Sequence, residues 1–148
     1  MSEEQAKAVV CRLVHDLFNR TDIGAADAIL APGYVEHDPL LGRWAGAEGL
    51  KRLSRSLRDA FPDGHLTIND QVAEGDRVVT RWAFRGTQFR EFAGIPASGE
   101  GVWLTAISIH RVADGRIQVG WTGFERGKWE GTEASAASVL RTRGEQIA

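Results

Sequence analysis

Glu125 is the residue whose type and position most directly suggest chemistry in this chain. It ends a strand-like run, residues 117–125, in which successive side chains point to opposite faces. Ile117, Trp121 and Glu125 share one face, which we expect to look into the protein because its large members are apolar. A charged carboxylate is costly to bury without a partner, a raised pKa or a pocket that admits water. Each of these conditions indicates a functional site.

Three other polar residues are candidates for the same pocket. His37 shares the parity of Val35, which favours an inward direction, and it is either a site residue or a satisfied structural histidine. Gln88 continues the inward set of the strand at 77–85, where it is either a pocket amide or a loop residue. His110 belongs to a strand at 102–112 whose two alternating sets are both partly apolar. We expect one face of that strand to line the pocket and the other to meet a second subunit.

Aromatic side chains are plentiful, and they bring large buried area with a polar handle. Each one alone is more often a core residue than a platform for a ligand. Five tryptophans in 148 residues nevertheless favour an aromatic cavity. The candidates to line it are Trp82, Phe84, Trp103 and Trp121.

Metal and nucleotide motifs are missing from the sequence. The four histidines show no helical metal spacing, and neither an HExxH nor an H…CxxC pattern occurs. A nucleophile elbow, a phosphate-binding loop and a dinucleotide fingerprint are also absent. We therefore expect no metal site.

Helical patterns dominate the first half of the chain. A capping box, Ser2 with Gln5, precedes apolar residues at helical spacing and predicts a helix over about 3–19. A short helix over 23–30, an extended segment over 34–38 and an amphipathic helix around 50–61 follow. A further helical pattern covers 132–143.

Strand patterns fill the second half, at 66–73, 77–85, 102–112 and 117–125, with a tight hairpin turn at 113–116. Helices followed by antiparallel strands indicate an α+β fold in a single domain, residues 1–148. We expect a curved antiparallel sheet packed against the N-terminal helices, with a pocket between them.

The composition narrows the class of protein. Eighteen basic against twenty acidic residues, without a basic stripe, disfavour nucleic-acid binding. No apolar run is long enough for a membrane span, and the acidic N-terminus is unlike a signal peptide. A single cysteine, Cys11, excludes an intrachain disulfide, so we expect a cytoplasmic protein.

Taken in order, several short motifs resemble the SnoaL-like polyketide cyclase group of the nuclear-transport-factor-2-like superfamily, whose members are α+β cones. Each motif is weak alone, but their order and spacing agree across about residues 5–125. They are Tyr34-Val35-Glu36-His37-Asp38-Pro39, Ala60-Phe61-Pro62-Asp63, Glu74-Gly75-Asp76-Arg77-Val78, Arg85-Gly86-Thr87-Gln88, Gly94-Ile95-Pro96-Ala97-Ser98-Gly99, the run from His110 to Ile117, and Trp121 with an acid four residues later.

The resemblance implies ring closure of a polyketide by intramolecular aldol condensation, with no metal and no organic cofactor. It implies Glu125 as the acid/base, although the family usually has Asp there, and Gln88 stands where His is frequent. His37, Gln88 and His110 would hydrogen-bond a developing enolate oxygen, and the aromatic residues would stack on a small apolar or polycyclic aromatic substrate. A homodimer or homotetramer is expected.

Several alternatives stay open from the sequence. The chain could be another enzyme with the same cone fold: an isomerase, a cofactor-free hydroxylase or, with less support from the strand pattern, an epoxide hydrolase. A non-catalytic binder of small apolar molecules would bind without chemistry. A structural dimerisation module would have a filled cone.

Overall fold

The protein combines N-terminal helices with one five-stranded sheet, and the computed structural model describes residues 1–37 and 46–128. The helices are α1 (Glu3–Arg12), a π-helical segment (Leu13–Asn19), α2 (Ala26–Ile29) after a 3-10 turn (Ile23–Ala25), and α3 (Ala47–Ala60). The strands are β1 (Leu30–Glu36), β2 (His65–Glu74), β3 (Arg77–Thr87), β4 (Gly101–Ala113) and β5 (Arg116–Lys128). The predicted α+β class is confirmed. Asp38 and the predicted helix over 132–143 lie outside the described residues.

The first helix begins with the predicted capping box. The Gln5 amide donates to Ser2 Oγ over 3.1 Å, and the Ser2 amide donates to Gln5 Oε1 over 2.8 Å. From Leu13 the helix widens into π geometry, with the Arg20 amide bonded to the His15 carbonyl. Within the described ranges, no helix has the length and apolar character needed to cross a membrane.

The carbonyl groups at the end of the π-helical segment are satisfied by side chains of α3. Ser54 Oγ donates to the Leu17 carbonyl, and the Arg58 guanidinium donates to the carbonyls of Phe18 and Asn19. These carbonyls have no partner within a helix that ends there. Helix α3 is therefore held against the N-terminal helix by hydrogen bonds as well as by apolar packing.

The sheet is curved and open, with strand order β1-β5-β4-β3-β2. Strands β2 to β5 pair antiparallel as predicted, while β1 pairs parallel with β5, so the sheet is mixed. Asp114 and Gly115 both have positive φ in the β4–β5 hairpin, as its two-residue turn requires. The sequence predicted a brief extended segment over 34–38, and residues 34–36 of it belong to the longer strand β1.

One face of the sheet, here called the inner face, packs on the helices and holds the core. In β4 every second residue from Val102 to Val112 is buried, whereas the residues between them are exposed or half-buried. The inner set packs with Val10 and Leu17 of the N-terminal helix in one apolar cluster. The opposite side is called the outer face.

Two bulges in β5 change which side chains look inward. Val112 pairs with Ile117 and Arg111 with Val119, which leaves Gln118 as an extra residue. Further along, Glu125 is the extra residue between the pairs that Phe124 and Arg126 make with β4. Because a bulge adds one residue to one strand only, the alternation of faces shifts at each of these positions.

Candidate functional site

A row of polar residues crosses the inner face from β1 to β4. Glu36 of β1 pairs with Gly120 of β5, and Gly120 pairs with His110 of β4. Glu36 and His110 are each only 5% exposed, and Tyr34, two residues before Glu36 on the same face, is 3% exposed. Buried polar side chains need partners, so this group is either a structural network or a site.

Tyr34 and Glu36 are joined by a short hydrogen bond, in which the phenol donates to Glu36 Oε2 over 2.5 Å. Burial, followed by the charge of Glu36 and this bond, raises the pKa of Tyr34 well above its ordinary value. Tyr34 is therefore a neutral phenol across the working pH range. It holds the carboxylate in one orientation.

Gly120 creates the space in which these groups meet. A Cβ at this position would lie 2.6 Å from Glu36 Oε2, 2.9 Å from His110 Cδ2 and 3.1 Å from the Tyr34 hydroxyl. The three side chains thus converge on a single point above the Gly120 backbone. A residue with any side chain would displace at least one of them.

His110 is a neutral imidazole at this point. Its burial lowers its pKa to about 4, since desolvation disfavours the charged ring. Among the described residues its buried Nδ1 has no hydrogen-bond partner. A neutral imidazole carries one donor and one acceptor nitrogen, so it can hydrogen-bond a bound molecule without changing its charge.

Two hydroxyl groups, of Ser108 and Thr122, lie beside the His110–Gly120 pair, two residues away along β4 and β5. Trp82 Nε1 donates to Ser108 Oγ over 2.9 Å, and Ser108 Oγ lies 2.8 Å from Thr122 Oγ1. Trp82 also packs edge-on against Phe124, with ring centroids 6.2 Å apart. Trp82, Thr122 and Phe124 are half-buried, so they present an aromatic and hydroxyl surface next to the Glu36 group.

The arrangement is suited to moving a proton. A carboxylate can remove a proton from carbon, while a neutral imidazole or phenol can hydrogen-bond the oxygen that gains charge. In the described part of the chain, no group of three or more His, Cys, Asp or Glu residues could hold a metal ion.

The prediction that Glu125 looks into the protein is wrong. Its side chain is exposed, and it is the extra residue of the second bulge. Glu125 lies five residues beyond Gly120 along β5, a separation of about 17 Å in an extended strand. Strict alternation of faces does not hold along β5, because one bulge precedes Glu125 and the second lies at Glu125 itself. Its assignment as the acid/base stays a prediction.

His37 and Trp121 also lie on the outer face, where the sequence placed them inside. Their rings stack at 5.6 Å between centroids, and the Arg77 guanidinium lies over Trp121. His37 is exposed, and its backbone amide continues the pairing of β1 with β5. The first bulge reverses Trp121, and β1 turns Tyr34 and Glu36 inward instead of Val35 and His37.

The remaining candidates divide between the two faces. Trp82 and Phe84 face inward as expected, and Phe84 packs edge-on against Phe61 in the core. The face of His110, which the sequence left open, is the inner one. Trp103 faces outward, half-buried, with the Arg126 guanidinium 5.7 Å from its ring.

Gln88 is fully buried, but far from the Glu36 group. Its Nε2 donates to the Ile95 carbonyl over 2.9 Å, which fixes the loop between β3 and β4. Ten residues separate it from Val78, which is the β3 partner of His110. An extended strand spans about 33 Å over that length, so Gln88 does not join this site.

Sequence reasoning missed Tyr34, Glu36, Gly120, Ser108 and Thr122 as site residues. Tyr34 and Glu36 do share a parity, and an aromatic residue paired with an acid is a usable signal. The apolar Val35 between them favours the opposite parity as the inward one. Val35 is in fact 42% exposed.

Comparisons with known proteins agree with this architecture. The sequence profile described as SnoaL-like polyketide cyclase matches residues 8–128. Among solved structures, TsrD from Streptomyces laurentii is 28% identical, with a TM-score of 0.75, and the match covers 84% of this chain and 91% of TsrD. IdmH from Streptomyces antibioticus, for which polyketide cyclase activity is proposed, is 31% identical, with a TM-score of 0.70 over 82% of this chain and 92% of IdmH. AclR from Streptomyces galilaeus, a proposed hydroxylase, is 25% identical, with a TM-score of 0.72, and the match covers 84% of this chain and 91% of AclR. A search of curated proteins found no match.

Proposed function

Because this chain belongs to the SnoaL-like polyketide cyclase family, we propose that it closes a ring in a small polyketide by intramolecular aldol condensation, with Glu36 as the general base. The observation that carries this proposal is the buried carboxylate of Glu36, oriented by Tyr34 beside the neutral imidazole of His110. The reaction is pure proton transfer and carbon–carbon bond formation, so it consumes no cofactor.

The steps balance with one base. The Glu36 carboxylate removes a proton from the carbon next to a carbonyl, and the enolate carbon attacks a second carbonyl carbon of the same molecule. A carbon–carbon bond forms, and the attacked oxygen becomes an alkoxide. The proton held by Glu36 then passes to that alkoxide, which leaves a hydroxyl group and restores the carboxylate. The N–H of neutral His110 would stabilise the enolate oxygen before the bond forms.

The surface beside Glu36 is suited to a flat, mostly apolar substrate. Trp82 and Phe124 offer aromatic area, and aromatic rings favour offset or edge-on contacts with other rings. The hydroxyl group of half-buried Thr122, which bonds the buried Ser108 hydroxyl, can also hydrogen-bond a ring oxygen. A polycyclic aromatic molecule with an enolisable side chain fits both properties.

Proton removal can be separated from ring closure in one experiment. The protein, treated with EDTA, would be incubated in D₂O with a flat aromatic β-keto ester that carries an additional ketone carbonyl within ring-closing reach. We expect deuterium to enter the carbon between the ketone and ester carbonyls faster than in a protein-free sample, together with a cyclised product, by NMR and mass spectrometry. Accelerated deuterium exchange without cyclisation would indicate an isomerase-like or hydroxylase-like enzyme, and binding without accelerated exchange would contradict acid/base catalysis.

A further inference from the structure

A second group of functional side chains lies on the outer face, at the opposite end of the sheet from the Glu36 group. His65, Arg85, Trp103 and Lys128 are cross-strand partners in register across β2, β3, β4 and β5. These four residues are here called the basic row. Phe84 and Leu104, which neighbour Arg85 and Trp103 in sequence, point into the core, so the basic row points away from it.

The basic row forms the floor of a concavity of about 690 Å³. Its other lining residues are Asp63, Gly86, Thr87, Glu100, Gly101 and Val102. Ligand sites of small molecules typically have volumes of roughly 300–1,000 Å³. The concavity is therefore large enough for a two-ring aromatic molecule.

The concavity is lined by Arg85 and Lys128 and also by the carboxylates of Asp63 and Glu100. Within residues 1–37 and 46–128, no carboxylate lies within 4.0 Å of the charged groups of Arg85 or Lys128. Both oxygens of the nearby Asp63 are instead used by Thr87, through its backbone amide at 2.7 Å and its hydroxyl at 2.8 Å. The charged groups of Arg85 and Lys128 therefore form no ion pair within the described residues, and both can donate hydrogen bonds to an external anion.

Trp103 gives the concavity an aromatic surface between two cations. Adjacent strands are about 4.8 Å apart, so Arg85 and Lys128 flank Trp103 on its two sides. The Arg126 guanidinium lies 5.7 Å from the Trp103 ring centroid. A guanidinium binds a carboxylate through two parallel hydrogen bonds, and an indole ring stacks on a flat ligand. A ring placed on Trp103 would bring an attached carboxylate within reach of Arg85 or Lys128.

We propose that this concavity is a binding site for a small aromatic molecule that carries a carboxylate or a similar anion. It is separate from the proposed reaction site, which lies on the other face of the sheet. The cations recognise the anion and Trp103 recognises the ring, so a ligand with both parts binds more tightly than a neutral aromatic molecule of the same shape.

The probe is 2-naphthoate, with the neutral 2-naphthalenemethanol as its matched analogue. Binding of both to the full chain would be measured by isothermal titration calorimetry at low and high salt. We expect the double variant Arg85→Gln/Lys128→Gln to bind 2-naphthoate at least about tenfold more weakly. We expect its affinity for 2-naphthalenemethanol to be unchanged. Trp103→Leu should weaken the binding of both compounds.

Arg77→Gln is the control, because Arg77 also lies over a tryptophan on the outer face, at Trp121. It should bind both compounds as the unaltered protein does. The proposal is overturned if 2-naphthoate does not bind or if the double variant binds 2-naphthoate as tightly as the unaltered protein. It is also overturned if Arg77→Gln weakens the binding of 2-naphthoate as much as the double variant does. All the altered positions are at the surface, so thermal unfolding should show that each variant folds.

Discussion

Gly120 is the residue on which the geometry of the inner site depends most closely. Replacing it with Ala would put a methyl group 2.6 Å from Glu36 Oε2, in a place that no side chain can share. We expect Gly120→Ala to lower the free energy of unfolding by about 1–3 kcal/mol, as overpacking does. The displaced carboxylate should also lower kcat. Urea denaturation and steady-state kinetics would measure the two effects.

Gly123 provides the matched control on the same strand. A Cβ at Gly123 would meet nothing within 4 Å, and the residue is exposed. Gly123→Ala should therefore leave both stability and kcat almost unchanged. Equal effects of the two substitutions would show that the strand, rather than the Glu36 group, is sensitive to the change.

At the scale of elements, Arg58 links three parts of the chain. Its guanidinium donates to the carbonyls of Phe18 and Asn19 on one side and to those of Pro62 and Gly64 on the other. Arg58→Met keeps much of the apolar stem but removes every donor. Hydrogen bonds to charged groups are worth about 1.5–3 kcal/mol each. Because water can replace some of the lost donors in the variant, we expect the free energy of unfolding to fall by about 3 kcal/mol rather than by the sum over all the bonds.

Arg55 is the control for Arg58 on the same helix, since its side chain is exposed. Arg55→Met should change the free energy of unfolding by less than about 0.5 kcal/mol. A similar loss in both variants, measured by chemical denaturation, would mean that helix propensity or surface charge explains the effect rather than the bridging bonds.

The elements themselves were largely predictable, but their faces were not. The first helix and the four later strands follow from sustained periodicity and clear turn signals, such as the hairpin at Asp114 and Gly115. The two bulges of β5 leave no mark in the sequence, yet each reverses every residue after it until the next. Trp82, on a strand without a bulge between it and its neighbours, faces inward as predicted, whereas Trp121 and Glu125 follow the first bulge of β5 and do not. Parallel pairing of β1 depends on long-range contacts that local pattern does not encode.

For the whole molecule, buried His110 predicts a pH dependence of stability. Its folded pKa of about 4 lies below the ordinary value of 6.5, so the unfolded chain binds more protons between these values. Stability is fully present above about pH 6.5 and falls as the pH is lowered towards 4, by up to about 3 kcal/mol. Tyr34 and Glu36 face the ring and are the titratable neighbours to consider.

His110→Gln tests this dependence, because it removes the imidazole and keeps Glu36 and Tyr34 in place. The free energy of unfolding would be measured in urea at pH 7.5 and pH 4.5 for both proteins. The unaltered protein should lose more stability between these values than His110→Gln. An identical loss would mean that other groups account for the acid sensitivity.

The outer face suggests how copies of the chain would meet. Val72, Val79, Ile109 and Trp121 are partners in register across four strands, and Ile107 and Ile109 are each 36% exposed. The homodimer or homotetramer expected from the sequence stays a prediction. In sedimentation velocity, Ile107→Lys/Ile109→Lys should sediment as a monomer and the unaltered protein as a larger species. Ser56→Lys alters an exposed position on α3, so this variant should sediment as the unaltered protein does.

In the proposed reaction Glu36, and not Glu125, carries the proton. The direct measurement compares kcat of Glu36→Gln and Glu125→Gln for ring closure of the β-keto ester substrate. We expect Glu36→Gln to lower kcat by about 10²–10⁴-fold, the usual contribution of a general base, with the substrate still bound. Glu125→Gln should stay within about threefold of the unaltered protein, because an exposed side chain about 17 Å along the strand cannot reach the same substrate atom. Full activity in Glu36→Gln, or loss of activity in Glu125→Gln alone, would show that Glu36 is not the general base.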